Sequence, residues 1–490
     1  MASDGPRPGF LGNINEDQEA KLQKIWAILL RASEIPSDED SKGCAEEHPA
    51  SPTPSAPPRR MSLLSRTSTS LSNNSDKTAP TLTRPYQQKF MAYFKEIGAA
   101  PQEIKMIQKA LSEISPSELR QGVLDVLKHD NPDAMMLRFL RARKWDVSKA
   151  FAMMMDAIVW RVKEMHVDED VMTKGELHAL KQERSSNAKE KKEGKDFLDQ
   201  MRMGKSYVHG VDKLGRPIVV IQVRLHKPGA QSEETLERYI VHVIESVRLT
   251  LNPPVETACV LFDMTGFGLS NMEYPPVKFI LKCFEANYPE CLGIMLIHNA
   301  PWVFSGIWRL IRGWMDPDIA AKVQFTNSGN DLAKFIDRSK LPKGVGGDED
   351  WEYKYIEPKE DENLVMEDTT TRDALIRERQ QIGEEFLAAT TEWNSAAKAK
   401  DKTKTQSAAS QRTYLAERLR VNHWKLDPYT RARLCLDRMR VIQPGGKVDF
   451  YPKEEEVKAE EASSNGTSKT LEVQHLENLN GNGVQTTVSV

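Results

Sequence analysis

Residues 258–299, ACVLFDMTGFGLSNMEYPPVKFILKCFEANYPECLGIMLIHN, decide the fold class. Ala258–Asp263 (ACVLFD) and Gly293–Asn299 (GIMLIHN) are short apolar runs that do not alternate with polar residues, as expected of strands buried on both faces. Between them, Pro275–Tyr288 places Val277, Ile280, Leu281, Phe284 and Tyr288 at helical spacing. Strand, helix and strand in that order predict a parallel pair with a helical crossover. The pattern continues outward on both sides. Upstream stand Pro217–Val223 (PIVVIQV) and a helix over Glu233–Leu251, with Leu236, Tyr239, Ile240, Val243, Ile244, Val247 and Leu251 on one face. Downstream stand a helix over Pro301–Met315 and a short strand, Lys322–Thr326 (KVQFT). The middle of the chain, about 207–345, therefore reads as an α/β domain with a largely parallel sheet covered by helices.

The flanks read differently. Residues 86–165 are helical in pattern: Asn131-Pro132 supplies a cap and a first-turn proline, and Asp146 can cap the next helix, whose stripe is Val147, Ala150, Phe151, Met154 and Ile158. Leu22, Ile25, Trp26, Leu29 and Leu30 give 14–33 an amphipathic helical pattern. Residues 36–80 are rich in Ser, Thr, Pro and charge, and 365–440 are helical again, with Phe386, Leu387, Trp393, Leu415, Leu419 and Trp424. The expected organisation is a helix in 1–35, a disordered linker in 36–83 and a helical domain in 84–185. An α/β domain then fills 186–356, a helical extension 357–452 and a disordered tail 453–490. At 490 residues and 39% hydrophobic, part of the chain is expected to stay unpacked.

Composition and motifs narrow the chemistry. A net charge of −3 gives no global field for nucleic acid or anionic lipid. Five cysteines, an odd number without a CxxC pair, point to a reducing compartment rather than a disulfide framework or zinc site. Met1–Asn15 has no apolar core of a secretory signal, and no apolar run nears the ~20 residues of a membrane span. A cytoplasmic protein touching membranes peripherally is the expectation. Gly266-Phe267-Gly268 lacks the third glycine of a dinucleotide loop, and no GxxxxGK[ST] occurs. Ser305 lacks the glycines of a nucleophile elbow, and His209, His226, His242 and His298 lack metal spacing. No catalytic set, metal or cofactor is expected. Arg59-Arg60-Met61-Ser62 has the form of a basic-directed phosphosite, for which a solvated linker with chance spacing is the plainer account.

Two segments carry positive information. In Pro301–Met315 (PWVFSGIWRLIRGWM), Val303, Phe304, Ile307, Trp308, Leu310, Ile311, Trp314 and Met315 cover a wide apolar arc at about 100° per residue. Such a helix can meet a bilayer, line an apolar cavity or simply serve as core. Arg138, Arg141, Arg143 and Lys144 form an acid-free cationic cluster. It is either a solvated helix face or a place where adjacent cations hold a phosphate.

These segments fall in a familiar order. Met136–Val147 (MLRFLRARKWDV), Asp212–Pro217 (DKLGRP), Glu256–Gly266 (ETACVLFDMTG), Asn287–Gly293 (NYPECLG), Ile297–Pro301 (IHNAP), Met315–Val323 (MDPDIAAKV) and Leu341–Gly347 (LPKGVGG) resemble the CRAL-TRIO lipid-binding family. Within it the resemblance is to fungal phosphatidylinositol transfer proteins of the kind that does not bind phosphatidylcholine. It runs over about 130–356. It implies a sheet forming the floor of a hydrophobic pocket, a mobile gate helix over roughly 300–325, and a helical N-terminal domain. The gate residues would be Trp302, Phe304, Ile307, Trp308, Ile311 and Trp314. The family's head-group ligands for phosphatidylinositol correspond to Arg143, Lys144, Glu290 and Lys322, with Glu290 and Lys322 neutralising each other when no head group is bound. A family threonine falls on Ile319. The hydroxyl residues that hold choline phosphate in phosphatidylcholine-binding members fall on Ala258 and Val260, which cannot hydrogen-bond a buried phosphate.

The resemblance implies a non-enzymatic carrier or presenter of phosphatidylinositol. It would move lipid between membranes or offer it to lipid kinases in phosphoinositide signalling, with a sterol or squalene as second lipid. The competing readings are a membrane-sensing scaffold that recruits a protein through the 365–440 helices, and a carrier of a purely apolar lipid, which would have no use for four polar head-group residues.

Overall fold

The computed structural model describes residues 7–33 and 85–452. The expected linker with its Arg59–Ser62 motif and the expected tail lie outside the described residues. α1 (Glu16–Ser33) precedes a helical unit of α2 (Pro85–Glu96), α3 (Pro101–Glu113), α4 (Pro116–Leu127), α5 (Pro132–Ala142) and α6 (Val147–Val159). Both anticipated caps are present: Asn131 Oδ1 accepts from Asp133 N at 2.8 Å and Asp146 Oδ1 from Lys149 N at 3.0 Å. α7 (Thr173–Glu183) and α8 (Ala188–Arg202) lead into the α/β part. There β1 (Ser206–Val211), β2 (Pro217–Gln222), α9 (Glu233–Arg248), β3 (Ala258–Asp263), α10 (Tyr274–Lys282), β4 (Leu292–His298), α11 (Phe304–Arg312), α12 (Pro317–Ala320) and β5 (Val323–Thr326) follow in turn. α13 (Gly329–Leu332), the long pair α14 (Thr369–Lys398) and α15 (Lys402–Thr430), and α16 (Cys435–Arg438) complete the chain.

The five strands lie in sequence order. β2 to β5 are parallel, joined by α9, α10 and α11, and β1 pairs antiparallel with β2. Sequence patterning did not reveal β1: its residues SYVHGV carry His209 and Gly210, which spoil an apolar run. Its turn is held by Asp212, whose Oδ1 accepts from Leu214 N and Arg216 N, both at 2.9 Å.

Each parallel strand divides its residues between two faces. Ile218, Val220, Cys259, Leu261, Ile294 and Leu296 pack under the sheet against Leu332, Ile336, Leu341 and Val345. Their neighbours Val219, Ile221, Ala258, Val260, Met295 and Ile297 face the other way, toward α9–α11. The strands β2–β4 are therefore covered on both faces, which is why the sequence shows runs rather than alternation, while the edge strand β5 exposes Gln324 and Phe325.

The helices at the two ends of the chain do not stand apart. Ile25 and Trp26 of α1, Phe94, Leu119, Phe151, and Phe386, Trp393 and Leu415 of α14–α15 share one core. Asp133, in the first turn of α5, joins three of these helices. Its Oδ1 accepts from Trp26 Nε1 at 2.7 Å, and its two oxygens take the Arg412 guanidinium at 2.5 and 2.9 Å. Arg412 also lies over the Trp393 ring, 4.2 Å from its centroid. A second tie crosses to the α/β part. Glu245 of α9, fully buried, meets Arg161 at 2.8 Å, Arg248 at 3.1 Å and Lys128 at 3.4 Å. The guanidiniums of Arg161 and Arg248 and the Lys128 ammonium hold its carboxyl well below the ordinary range despite its burial. Removing one partner of a buried pair strands the other. Asp133→Ala should therefore cost about 3–5 kcal/mol, read as a lowered urea midpoint with α1 and α15 losing protection together in hydrogen exchange.

Candidate functional site

The sheet and the helices α9–α11 do not close on each other. Between them lies an apolar cavity of about 230 Å³. Dry apolar cavities of roughly 150 Å³ already admit a benzene-sized guest, so this space is well beyond a packing defect. The stripe on α9 (Leu236, Tyr239, Ile240, Val243, Ile244, Val247) is the cavity's wall, as are Ile280 of α10 and Phe284 just after it. Ala258 and Val260 form part of the floor. Ile319 is buried with Val260, Leu292 and Met295, and the hydroxyl side chains that do line the cavity are Ser206 and Tyr239.

α11 closes the cavity from the side. Phe304, Trp308 and Ile311 line it, and Phe304, Ile307 and Ile311 are buried. Arg309 and Arg312 stay outside, and Leu310 is 46% exposed. The helix is shorter than the expected Pro301–Met315. Trp302 and Val303 form a turn whose amide bonds run from Phe304 N to Pro301 O and from Ser305 N to Trp302 O, and Gly313 ends the helix. Trp302 therefore lies outside the helix and is 89% exposed, so it does not face the cavity. Trp314 also lies beyond the helix, packed edge-on to Tyr274 and under the Lys278 ammonium at 4.8 Å. The wide arc divides because one helix cannot turn eight large apolar residues to one wall.

A charged cluster sits where the parallel strands begin. Glu256 precedes β3, Glu290 precedes β4 and Lys322 precedes β5; the shared strand polarity puts all three on one edge of the sheet. Lys322 Nζ stands 3.6 Å from Glu290 Oε1, bringing together two of the expected head-group residues. Glu290 adopts φ +58, a left-handed conformation. Arg141 of α5 reaches both acids, at 3.1 Å to Glu256 and 4.0 Å to Glu290. Arg138 is paired with Asp130 at 2.7 Å. Arg143 and Lys144 follow at the end of α5, partly and fully exposed; among the described residues no ion pair joins either to a carboxylate. The structure thus joins Glu290 to Lys322, no contact among the described residues brings Arg143 or Lys144 to that pair, and the residue that links the cluster is Arg141.

Sequence reading missed that role, and missed Glu256, because the contacts span more than a hundred residues. It also missed the N-terminal segment. Gly9 O accepts from Arg141 Nη1 at 3.0 Å and the Phe10 ring covers the Arg141 guanidinium at 3.7 Å. Gly9, at φ +81, lies so close to Trp145 that a Cβ would come within 3.1 Å of the indole.

The family model described as CRAL/TRIO domain matches residues 201–347, and that of the CRAL/TRIO N-terminal domain matches 88–156. A CRAL-TRIO domain-containing protein of Schizosaccharomyces pombe is 37% identical over 440 residues, 88% of this chain and 92% of the relative. The chain belongs to the CRAL-TRIO family. Phosphatidylinositol transfer protein CSR1 of Eremothecium gossypii is 33% identical over 439 residues, 88% of this chain and 97% of that protein. A phosphatidylinositol/phosphatidylcholine transfer protein, SFH12 of Arabidopsis thaliana, is 30% identical over 46% of this chain and 41% of its own length. Among the described residues, no helix of this CRAL-TRIO protein is long and apolar enough to cross a membrane.

The cluster has a measurable acid signature. Burial works against the Asp130 charge, but the Arg138 guanidinium prevails and holds the carboxyl at about 2, against an ordinary 3.8. A depressed carboxyl contributes stability that is full above its unfolded value and lost as pH falls through its folded value. Wild type should therefore lose on the order of 2 kcal/mol between pH 4 and pH 2 through this group. Asp130→Asn should be less stable at pH 6 and should flatten that part of the thermal-unfolding profile.

Proposed function

We propose that this CRAL-TRIO protein carries or presents phosphatidylinositol, holding the acyl chains in the cavity and the inositol phosphate at the Glu290–Lys322 edge. The observation that carries this reading is the pairing of Glu290 with Lys322 at the sheet edge where β4 and β5 begin, beside Cys291, which lines the cavity. A phosphodiester needs a cation and an inositol ring needs acceptors for its hydroxyls; a carboxylate–ammonium pair that can open supplies both and avoids an unpaired charge when empty. Arg143 and Lys144, with no acid partner among the described residues, are left to add positive potential. The relative named phosphatidylinositol transfer protein CSR1, aligned over nearly its whole length, supports the same reading.

Transfer needs no covalent chemistry. Each methylene moved from water into the cavity contributes about 0.8 kcal/mol, and the bilayer supplies the same environment, so the exchange is close to balanced and the gate decides when it occurs. Trp302 and Leu310, exposed around α11, and the outward Arg309 and Arg312 suit a gate that opens against an interface. The location that follows is cytoplasmic, with peripheral contact at internal membranes. The scaffold reading is weakened because α14 and α15 place Phe386, Trp393 and Leu415 in the common core instead of offering them to a recruited protein or lipid kinase. With Ala258 and Val260 on the floor, phosphatidylcholine finds no hydroxyl for its phosphate at those two positions.

Mass spectrometry of copurifying lipids should find phosphatidylinositol without phosphatidylcholine. Lys322→Ala should cut phosphatidylinositol loading roughly ten- to hundredfold with circular dichroism unchanged; undiminished loading in that variant would disprove the head-group assignment. The gate has its own test. The pair Trp302→Asp and Leu310→Asp should slow exchange between vesicles without reducing the amount of lipid held at equilibrium, and an unchanged exchange rate would remove this surface from the mechanism.

A further inference from the structure

The charged edge where the parallel strands begin holds a guanidinium with one donor to spare. Arg141 Nη1 donates to Gly9 O at 3.0 Å and Nη2 to Glu256 Oε2 at 3.1 Å. Its Nε is buried and has no hydrogen-bond acceptor among the described residues. That nitrogen stands 4.0 Å from Glu290 Oε2, about 1 Å beyond hydrogen-bond distance. The other oxygen of Glu290, Oε1, faces Lys322 Nζ at 3.6 Å. Glu290 therefore lies between two cations, one for each oxygen, and is closely bonded to neither.

Arg141 does not hold this position unaided. The turn formed by residues 7–13 lies over it. Gly9 N donates to Asn13 O at 2.7 Å, Phe10 N to Arg7 O at 3.1 Å and Asn13 N to Phe10 O at 2.9 Å, which closes the turn on itself. Asn15 then pairs reciprocally with Gln18 at the start of α1: Asn15 N donates to Gln18 Oε1 at 3.0 Å, and Asn15 Oδ1 accepts from Gln18 N at 2.9 Å. α1 is in turn fixed in the common core, where Trp26 is bonded to Asp133. The turn is thus tied to the body of the protein, and it sets the Phe10 ring 3.7 Å from the guanidinium carbon of Arg141. A ring face attracts a cation more strongly where water is excluded, and the Arg141 side chain is 9% exposed. Burial lowers the guanidinium's hold on its proton, Glu256 and Glu290 oppose this, and the group stays charged.

Lys322 cannot give itself fully to a phosphate and to Glu290 at once. When it turns to the phosphodiester, Glu290 Oε1 is freed to accept from an inositol hydroxyl, but a partly buried carboxylate has lost its cation, which is costly. A loose, solvated arginine could make good that loss only by giving up side-chain freedom and water. A guanidinium already held by Gly9, Glu256 and Phe10 needs to close a gap of about 1 Å. We propose that Arg141 is the counter-cation of Glu290 in the lipid-loaded state, its Nε closing on Oε2 as Lys322 leaves Oε1, and that Phe10 is the positioning residue that holds Arg141 ready. The inference rests on the head-group reading above. Phe10 acts through Arg141 and not on the lipid.

The test uses the full-length protein and tritiated phosphatidylinositol, presented in phosphatidylcholine vesicles that are then removed by flotation. Phe10→Leu keeps an apolar side chain but removes the ring face, and Phe10→Tyr keeps the ring. Phe10→Leu should lower phosphatidylinositol loading roughly two- to thirtyfold, and Phe10→Tyr should load as the wild type does. On the Lys322→Ala background, Phe10→Leu should cause no further loss, because Arg141 then serves Glu290 in the empty and the loaded state alike; a purely structural role for Phe10 would give the same fold-loss on both backgrounds. Wild-type loading in Phe10→Leu, Phe10→Tyr loading no better than Phe10→Leu, or equal losses on the two backgrounds overturns this proposal, and the head-group reading stands so long as Lys322→Ala alone loses loading. Undiminished loading in Lys322→Ala overturns both. Phe10 lies outside the common core, so its variants should keep the fold, which an unchanged circular dichroism spectrum checks.

Discussion

The structure depends on a sheet that is apolar on both faces but filled on only one. Underneath, Leu332, Ile336, Leu341 and Val345 close against β2–β4 as an ordinary core does. Above, α9, α10 and α11 are held off, and the space between remains open and apolar. Apolar surface without a packing partner forfeits dispersion contacts, so the helices would settle onto the sheet unless something else fixed them. α9 is fixed by Glu245, whose fully buried carboxylate is shared among Arg161, Arg248 and Lys128. That network anchors α9 to the helical unit, so the wall of the cavity is set by buried charges, one of which, Arg248, also lines it.

The same logic orders the rest of the chain. α1, α14 and α15 have sequence-distant apolar faces that complete one core with α2–α6, and Asp133 secures the junction by taking Trp26 and Arg412 at once. The rigid body so formed presents α5 to the start of the parallel strands. There Arg141 meets Glu256 and Glu290 while the N-terminal residues Gly9 and Phe10 close over it. α11, whose cavity side is three residues deep and whose other side is arginine and exposed leucine, has no comparable polar anchor among the described residues. An element so lightly tied is the kind that the gate proposed above would require.

Much of this was legible in the amino-acid sequence, for physical reasons that are local. Strands buried on both faces must be apolar at successive positions, so β2, β3 and β4 could be read within a residue or so of their observed limits. Helices with one buried face must be periodic, so the α9 stripe was visible, as were the Asn131 and Asp146 caps, which depend on neighbours two and three residues away. The polar residues Glu290 and Lys322 could be named because motif order carries register from one relative to another.

What the sequence left undecided is non-local. Periodicity says that a face is apolar but not whether it meets side chains or empty space, so the cavity belongs to the tertiary structure alone. Strand β1 is made by its pairing and not by its composition. The arc around Trp302 and Trp314 was divided between cavity and surface by where the helix could begin and end. Arg141 became the centre of the charged edge because chain segments distant in sequence converge there. The sequence by itself determined which segments would be helix or strand and which family they compose. Only the tertiary structure decided which apolar faces stay unfilled and which charges stand at their ends, since both depend on distances that no local pattern encodes.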